Sequence, residues 1–333
     1  MSKKKEVRSY LEYYTKSEDS TQIVASSGTL NNEGFNLWSF KKLIFLEYYV
    51  PPYLNILSSK GYTCFFIDFF SSCGANQIEN QEITTIGSPI VSLLKGVFHV
   101  KSRGTNNRFK KWFFIDKDEK FCTALKERVL TTLEIINKRN NENLKMGTDV
   151  EILCGDCNEK IDSVITQINK EAELHKIAVL AFIDPYKFTN IEWATWDKLL
   201  KLRYVDIIFT FPISTIKRGF SQCKNPEKYL PPSLIASCDH DLKVPDEEFE
   251  RLYAQDIVNL VQRGIHYYKG GIKIKNTLNG ELYRIELFTH SGPAMKLTSG
   301  IANELEKIKP HDIKAYIEQI FGKLKSLDEF KKE

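Results

Sequence analysis

The sequence lacks any long apolar run. Its longest runs, such as Ala178–Ile183, are strand-sized. A membrane-spanning helix needs ~18 or more uncharged apolar residues, so no membrane segment is expected. A strong excess of one charge is missing too. The 47 basic and 43 acidic residues leave a formal charge of +4, which does not by itself point to nucleic acid. Internal repeats and low-complexity segments are absent. Met1–Arg8 is charged and has no apolar core of the kind a signal peptide carries. Seven cysteines, an odd number, fit reduced thiols better than a disulfide framework. A cytoplasmic location is therefore expected.

What is present is a regular alternation. Thr63–Asp68 is a continuous apolar run ending in an acid. Trp112–Ile115 is followed by Asp116, Val150–Cys154 by Gly155-Asp156, and Ala178–Ile183 by Asp184. A fifth run, Val205–Phe211, ends at Pro212. Runs of this kind suit strands buried on both faces of a parallel sheet. Helical patterns lie between them. Phe121, Leu125, Val129, Leu133 and Ile136 are spaced by three and four, and Ile161, Val164, Ile165 and Ile168 mark a second helix. Before the first run, Phe40, Leu43, Ile44, Tyr48 and Leu54 share one helical side. Strand–helix alternation predicts βαβ units with right-handed crossovers.

Outside this core the pattern changes. Residues 1–36 read as a polar, loosely packed arm. Residues 37–291 form the α/β domain, with 212–245 as a proline-containing insertion too long for an ordinary loop. Phe249, Leu252, Tyr253, Ile257, Leu260 and Val261 predict an amphipathic helix. Ile265–Lys275 and Glu281–His290 alternate around Asn279-Gly280, an antiparallel hairpin signal. Residues 292–333 read as a helical extension, with helices over Gly300–Ile308 and Asp312–Leu324.

In an open α/β sheet, ligands bind at the carboxyl ends of the strands. Four of those ends here carry an acid: Asp68, Asp116, Asp156 and Asp184. Their order matches the tasks of a class I methyltransferase, which uses S-adenosylmethionine (SAM). The loop after the first strand, Asp68 to Gly74 with Phe70, approaches the methionine part. Asp116 after the second strand can bind ribose hydroxyls, and Asp156 after the third can face the adenine amino group. Asp184-Pro185-Tyr186 after the fourth would be the acceptor turn. An acid there accepts an N–H from an exocyclic amine, proline fixes the turn, and the aromatic ring stacks on the base. Helix capping is the alternative use of such acids.

The order of these motifs resembles the three-Cys-motif partner proteins. Their strand "Asp-Leu-Phe-Ala-Gly-Pro-Gly", followed by "Gly-Ser-Pro", corresponds to Asp68-Phe69-Phe70-Ser71-Ser72-Cys73-Gly74 and Gly87-Ser88-Pro89. Gly155-Asp156-Cys157-Asn158 and Phe182-Ile183-Asp184-Pro185-Tyr186-Lys187 correspond to two further motifs. The resemblance spans about Trp38 to Ser291. It implies a Rossmann-like domain, SAM as cofactor, and a radical-SAM-like protein with three cysteines as partner. The sequence departs from the pattern at Ser71-Ser72-Cys73, where glycine and proline are usual, and at Lys187.

Other expectations concern partners and chemistry. Arg103, Arg108, Lys110 and Lys111, with Lys101, form a basic cluster. Lys217-Arg218 form another, and Lys269, Lys273 and Lys275 lie near Tyr267 and Tyr268. Such groups contact phosphates and stack bases, so a nucleic acid, RNA or DNA, is the expected substrate. There is no Pro-Cys dipeptide of the kind used by cytosine-C5 enzymes. No metal is expected: Cys154-Gly155-Asp156-Cys157 has no second pair, and Asp239-His240-Asp241 are adjacent residues that rarely converge on one ion. A non-catalytic partner protein and a metal-dependent nuclease are the alternative readings.

Overall fold

The computed structural model describes residues 3–32, 36, 39–78, 82–100, 104–237, 246–260, 266–267, 271–275 and 280–308, with residues 312, 313, 315 and 318 beyond. Its centre is an eight-stranded sheet. We number its strands β1 (Tyr62–Asp68), β2 (Lys111–Asp116), β3 (Val150–Cys154), β4 (Lys176–Ile183), β5 (Val205–Phe211), β6 (His266–Tyr267), β7 (Ile272–Lys275) and β8 (Glu281–Thr289). The order is β6-β8-β5-β4-β1-β2-β3, with β7 also paired to β8. Strands β1 to β5 are parallel to one another. β8 runs antiparallel to β5, and β6 and β7 antiparallel to β8. This is the Rossmann-like, methyltransferase-type order: the strand sequence turns back at β1 and β4, and an antiparallel unit closes one edge.

The apolar runs become strands because each has two faces to bury. In β1, Phe66 joins the core on one side of the sheet, while Phe65 and Ile67 join the core on the other. Phe114 and Phe113 divide in the same way, as do Leu180 and Val179. Both faces are covered, so no polar alternation is needed. Helices α3 (Phe40–Ser59), α4 (Ser88–Lys95) and α5 (Glu119–Asn140) contribute to the first core. Helices α6 (Cys157–Ala172), α7 (Trp193–Leu200) and α10 (Asp246–Leu260) contribute to the second. Asp118 caps α5, accepting from the Lys120 and Phe121 amides, and the left-handed Asn141 (φ 54°) ends it.

The described part of 1–36 is not a loose arm. It contains α1 (Lys3–Lys16) and α2 (Glu18–Ala25), and Tyr10, Leu11, Tyr14 and Ile23 are buried in the first core. The reason is local spacing. Three apolar side chains at positions 10, 11 and 14 make a narrow helical stripe that docks despite the charged residues around it. The described part of 212–245 is mostly short helical turns, including α8 (Ile213–Gly219) and α9 (Pro232–Ser237), and Leu230 and Leu234 reach the second core. Asp239-His240-Asp241 lie outside the described residues. Helix α11 (Gly292–Lys307) starts eight residues earlier than its spacing suggested, capped by Ser291. Most of Asp312–Leu324 is outside the described residues. Two short hairpins, 75–77 with 84–86 and 97–100 with 105–108, flank the main sheet. Among the described residues no helix is long and apolar enough to cross a membrane.

Candidate active site

The parallel order brings Asp68, Asp116, Asp156 and Asp184 to one end of the sheet, around the point where the strand sequence turns back. Asp68 closes β1 and is fully buried. Its Oδ2 accepts from the Ser88 hydroxyl at 2.6 Å, and its Oδ1 from the Phe70 amide at 3.2 Å. Burial pushes its carboxyl up to about 7, and the negative charges of Asp184 and Asp116 add to the rise; the Ser88 and Phe70 hydrogen bonds oppose it.

The turn after β1 folds over the end of β2. Ser72 adopts a left-handed backbone (φ 52°), unusual for a residue with a side chain. There its amide donates to Asp116 Oδ2 at 2.7 Å, while the Asp118 amide donates to Oδ1 at 2.9 Å. The Ser72 hydroxyl is buried and has no protein partner. Burial raises the Asp116 carboxyl, and the two amide bonds oppose that rise. Gly74 follows with φ 76°. A Cβ on it would stand 2.7 Å from Leu125 Cδ1, and one on Gly87 would stand 3.2 Å from the Gly74 carbonyl carbon. The two glycines thus let the turn and the start of α4 meet backbone to backbone, with the Gly87 amide donating to the Gly74 carbonyl at 2.8 Å. That contact sets Ser88 against Asp68.

Arg128 holds this turn from below. It is fully buried on α5 and donates to the carbonyls of Cys73 (2.7 Å), Ser27 (2.8 Å), Thr29 (2.6 Å) and Val24 (3.2 Å). The N-terminal segment is therefore tied to the turn that carries Ser72.

Asp156 is exposed at the N-cap of α6, where Oδ1 accepts from both the amide (2.8 Å) and the side-chain nitrogen (2.7 Å) of Asn158. Asn158 in turn donates to the Asn190 carbonyl and accepts from the Glu192 amide and the Thr195 hydroxyl. It clips the loop after β3 to the segment beyond the Asp184-Pro185-Tyr186 turn. In that turn Pro185 is buried and Tyr186 is 66% exposed. Asp184 Oδ2 lies 2.7 Å from Lys42 Nζ, an ion pair with side chains 16% and 24% exposed for Lys42 and Asp184. The Lys42 ammonium also lies 5.1 Å from the centre of the Tyr283 ring. Phe70 is half-buried beside Asp68 in the chain.

Of the expected basic cluster, Arg108 and Lys111 are paired with acids. Arg108 pairs with Asp149 (3.0 Å) and Glu142 (3.7 Å), and Lys111 with Glu151 (2.6 Å) and Gln167 (2.8 Å). Both residues also sit at the amino end of β2, opposite Asp116. Lys110 is exposed there, and Arg103 lies outside the described residues. Lys273 pairs with Glu247. Lys217 and Arg218 are exposed in the last turn of α8, beyond the carboxyl end of β5, and Arg218 Nε donates to the Ser214 carbonyl at 3.1 Å. Among the described residues no three His, Cys, Asp or Glu side chains are grouped to hold a metal ion.

No protein-family model and no curated protein matches the chain. Solved structures do. Protein LPL1258 of Legionella pneumophila is 10% identical, with 82% of this chain and 94% of that one covered, at a TM-score of 0.44. Trm1 from Pyrococcus horikoshii, solved with SAM, is 11% identical over 79% of this chain and 57% of its own, at 0.41. The plantazolicin methyltransferase BamL, solved with S-adenosylhomocysteine, is 12% identical over 98% and 92%, at 0.35. The assignment of the fold rests on the strand order described above.

Three site residues escaped sequence reading. Ser88 was visible only inside a motif, without its task. Lys42 is one of three charged residues on a largely apolar helix, a signal that a charge there has a partner. Arg128 looked like the polar side of an amphipathic helix, and nothing in its surroundings in the sequence marks it as buried.

Proposed function

We infer that the protein is a SAM-dependent methyltransferase that acts on an exocyclic amine of a nucleic-acid base. The observation that carries this reading is the convergence of Asp68, Asp116 and Asp184 at the switch point, where Asp68 feels the charge of both others. Carboxyls gathered at this sheet end, Asp184 among them as the partner of Lys42, suit a ligand with positive groups, and SAM carries both a sulfonium and an ammonium group. The unpartnered Ser72 hydroxyl beside Asp116 fits a ligand that brings its own polar groups.

Asp116 retains lone pairs that would accept from the ribose hydroxyls, Asp68 and Phe70 would border the methionine side, and exposed Asp156 would border the adenine. Gly74 acts here through the close packing of the turn. Bound SAM supplies an electrophilic methyl group. The chain supplies orientation: Asp184 accepts an N–H of the amine and aims its lone pair, Pro185 keeps Asp184 extended, and the exposed Tyr186 ring offers a stacking face for an extruded base. Direct transfer needs no covalent nucleophile. Lys217 and Arg218 stand where a nucleic-acid backbone could be held. A second reading, a non-catalytic partner of a radical-SAM-like three-Cys protein, draws support from Asp116, whose two oxygens already accept backbone amides.

The test is methyl transfer from labelled SAM to RNA and DNA. Asp184→Ala and Tyr186→Ala should each lose ~100-fold in turnover, Asp184→Asn should keep part of it, and SAM affinity should stay unchanged in all three. Normal turnover by Asp184→Ala would remove this turn from the mechanism.

A further inference from the structure

The reaction outlined above assigns no task to Lys42, yet Lys42 makes the one cation contact of Asp184 among the described residues. Three elements bring charge or polarity to that carboxylate. Lys42 comes from α3. Asp68 comes from the end of β1, and its carboxyl responds to the charge of Asp184. The Tyr283 phenol comes from β8 and responds to that charge as well. Ionised Asp68 opposes a negative Asp184, the neutral Tyr283 phenol adds no charge, and Lys42 favours it. Lys42 is itself held, with its ammonium over the Tyr283 ring.

From this arrangement we propose that Lys42 is a positioning residue: it neutralises Asp184 within a crowd of acids and fixes one carboxylate oxygen, leaving the other to receive the acceptor. An ammonium has three N–H groups. One is engaged by Oδ2, so the carboxylate cannot rotate freely. The pair is neutral as a whole. It therefore gives no net attraction for a cationic acceptor such as an alkylammonium, and it retains an oxygen for a neutral N–H donor. The step in catalysis that Lys42 serves rests on the methyltransferase reading, while its hold on Asp184 does not.

The two are separable by experiment. Asp184 is labelled with carbodiimide and glycinamide at one fixed pH in the full-length protein, and the labelled peptide is quantified by mass spectrometry against exposed carboxylates of the same digest. A carboxylate released from its ion pair should label several-fold faster. We expect that rise in both Lys42→Met and Lys42→Gln, with Lys42→Arg returning the rate to that of wild type. Lys42→Gln keeps size and a hydrogen-bond donor, so the test stands if Lys42→Met does not fold. An unchanged rate in the uncharged variants, or an Arg variant that behaves like Gln, would overturn the proposal. In methyl transfer, Lys42→Gln should lower kcat with SAM affinity intact, and Lys42→Arg should restore turnover. Loss of SAM affinity in Lys42→Gln would assign Lys42 to the cofactor side and overturn the positioning role. If wild type binds no SAM, the catalytic role falls with the methyltransferase reading, and the labelling rates still decide whether Lys42 holds Asp184.

Discussion

Replacing Asp68 by Asn should make the protein more stable at pH 8 and leave much of its acid stability unchanged. The Asp68 carboxyl is fully buried and pushed up to about 7, while in the unfolded chain it titrates near the usual ~3.9. Between those values the folded protein binds the extra proton. Stability therefore falls as pH rises toward the folded pKa, the reverse of a salt-bridged aspartate. From pH 5 to pH 8 this one group costs about 3 kcal/mol of stability, and Asn, which does not titrate, should not show that loss. For a chain of this size about 1 kcal/mol corresponds to about 1.5 °C in Tm. The Tm difference between Asp68→Asn and wild type should thus grow by about 4 °C in favour of Asn from pH 5 to pH 8. Other raised acids, such as Asp206, held at about 6 chiefly by burial, contribute equally to both proteins and cancel. Thermal unfolding of both at matched ionic strength measures this directly. A Tm difference that is flat with pH, or that moves against Asn, would refute the reasoning. The same variant should bind SAM more weakly at pH 8, because a carboxylate facing a cationic ligand has gone; a stable site is then a poorer one.

Other consequences follow from named contacts. Arg128→Met should destabilise the protein by ~3 kcal/mol or more, since four carbonyls lose a charged donor in the interior, and chemical denaturation would read it. Lys217→Gln with Arg218→Gln should weaken nucleic-acid binding and reduce its salt dependence. The pair Arg108→Gln and Lys111→Gln should leave both unchanged, because those charges are already compensated; filter binding at several salt concentrations compares the two.

The sheet was legible because fully buried strands are written as continuous apolar runs. Trp112–Ile115 and Ala178–Ile183 each fell within two residues of the observed strand at either end. The strand-end acids were legible for the same reason: a charge directly after a buried strand has few places to go but the crevice. The rest depends on distance along the chain. Lys42 meets Asp184 across 142 residues, and the acids that neutralise Arg108 and Lys111 are Glu142, Asp149 and Glu151, more than thirty residues away. No local pattern announces such pairs. The two small hairpins were hidden because strands such as Thr105–Arg108 carry polar residues without alternation. The N-terminal helices were readable from Tyr10, Leu11 and Tyr14, but the surrounding charge outweighed that stripe in the composition.

The central claim is that the acidic crevice at the ends of β1 and β2 holds SAM, and calorimetric titration of SAM into the purified protein tests it most directly. We predict saturable binding at submillimolar SAM at pH 8, weakened by ~1–3 kcal/mol in Asp116→Ala through loss of a charged hydrogen-bond acceptor. Binding should be accompanied by proton uptake or release that varies with buffer near pH 7, since Asp68 titrates there. The sign is release, because a cationic ligand favours the ionised carboxyl. No heat of binding at millimolar SAM, or an Asp116→Ala variant that binds as wild type does, would contradict the account.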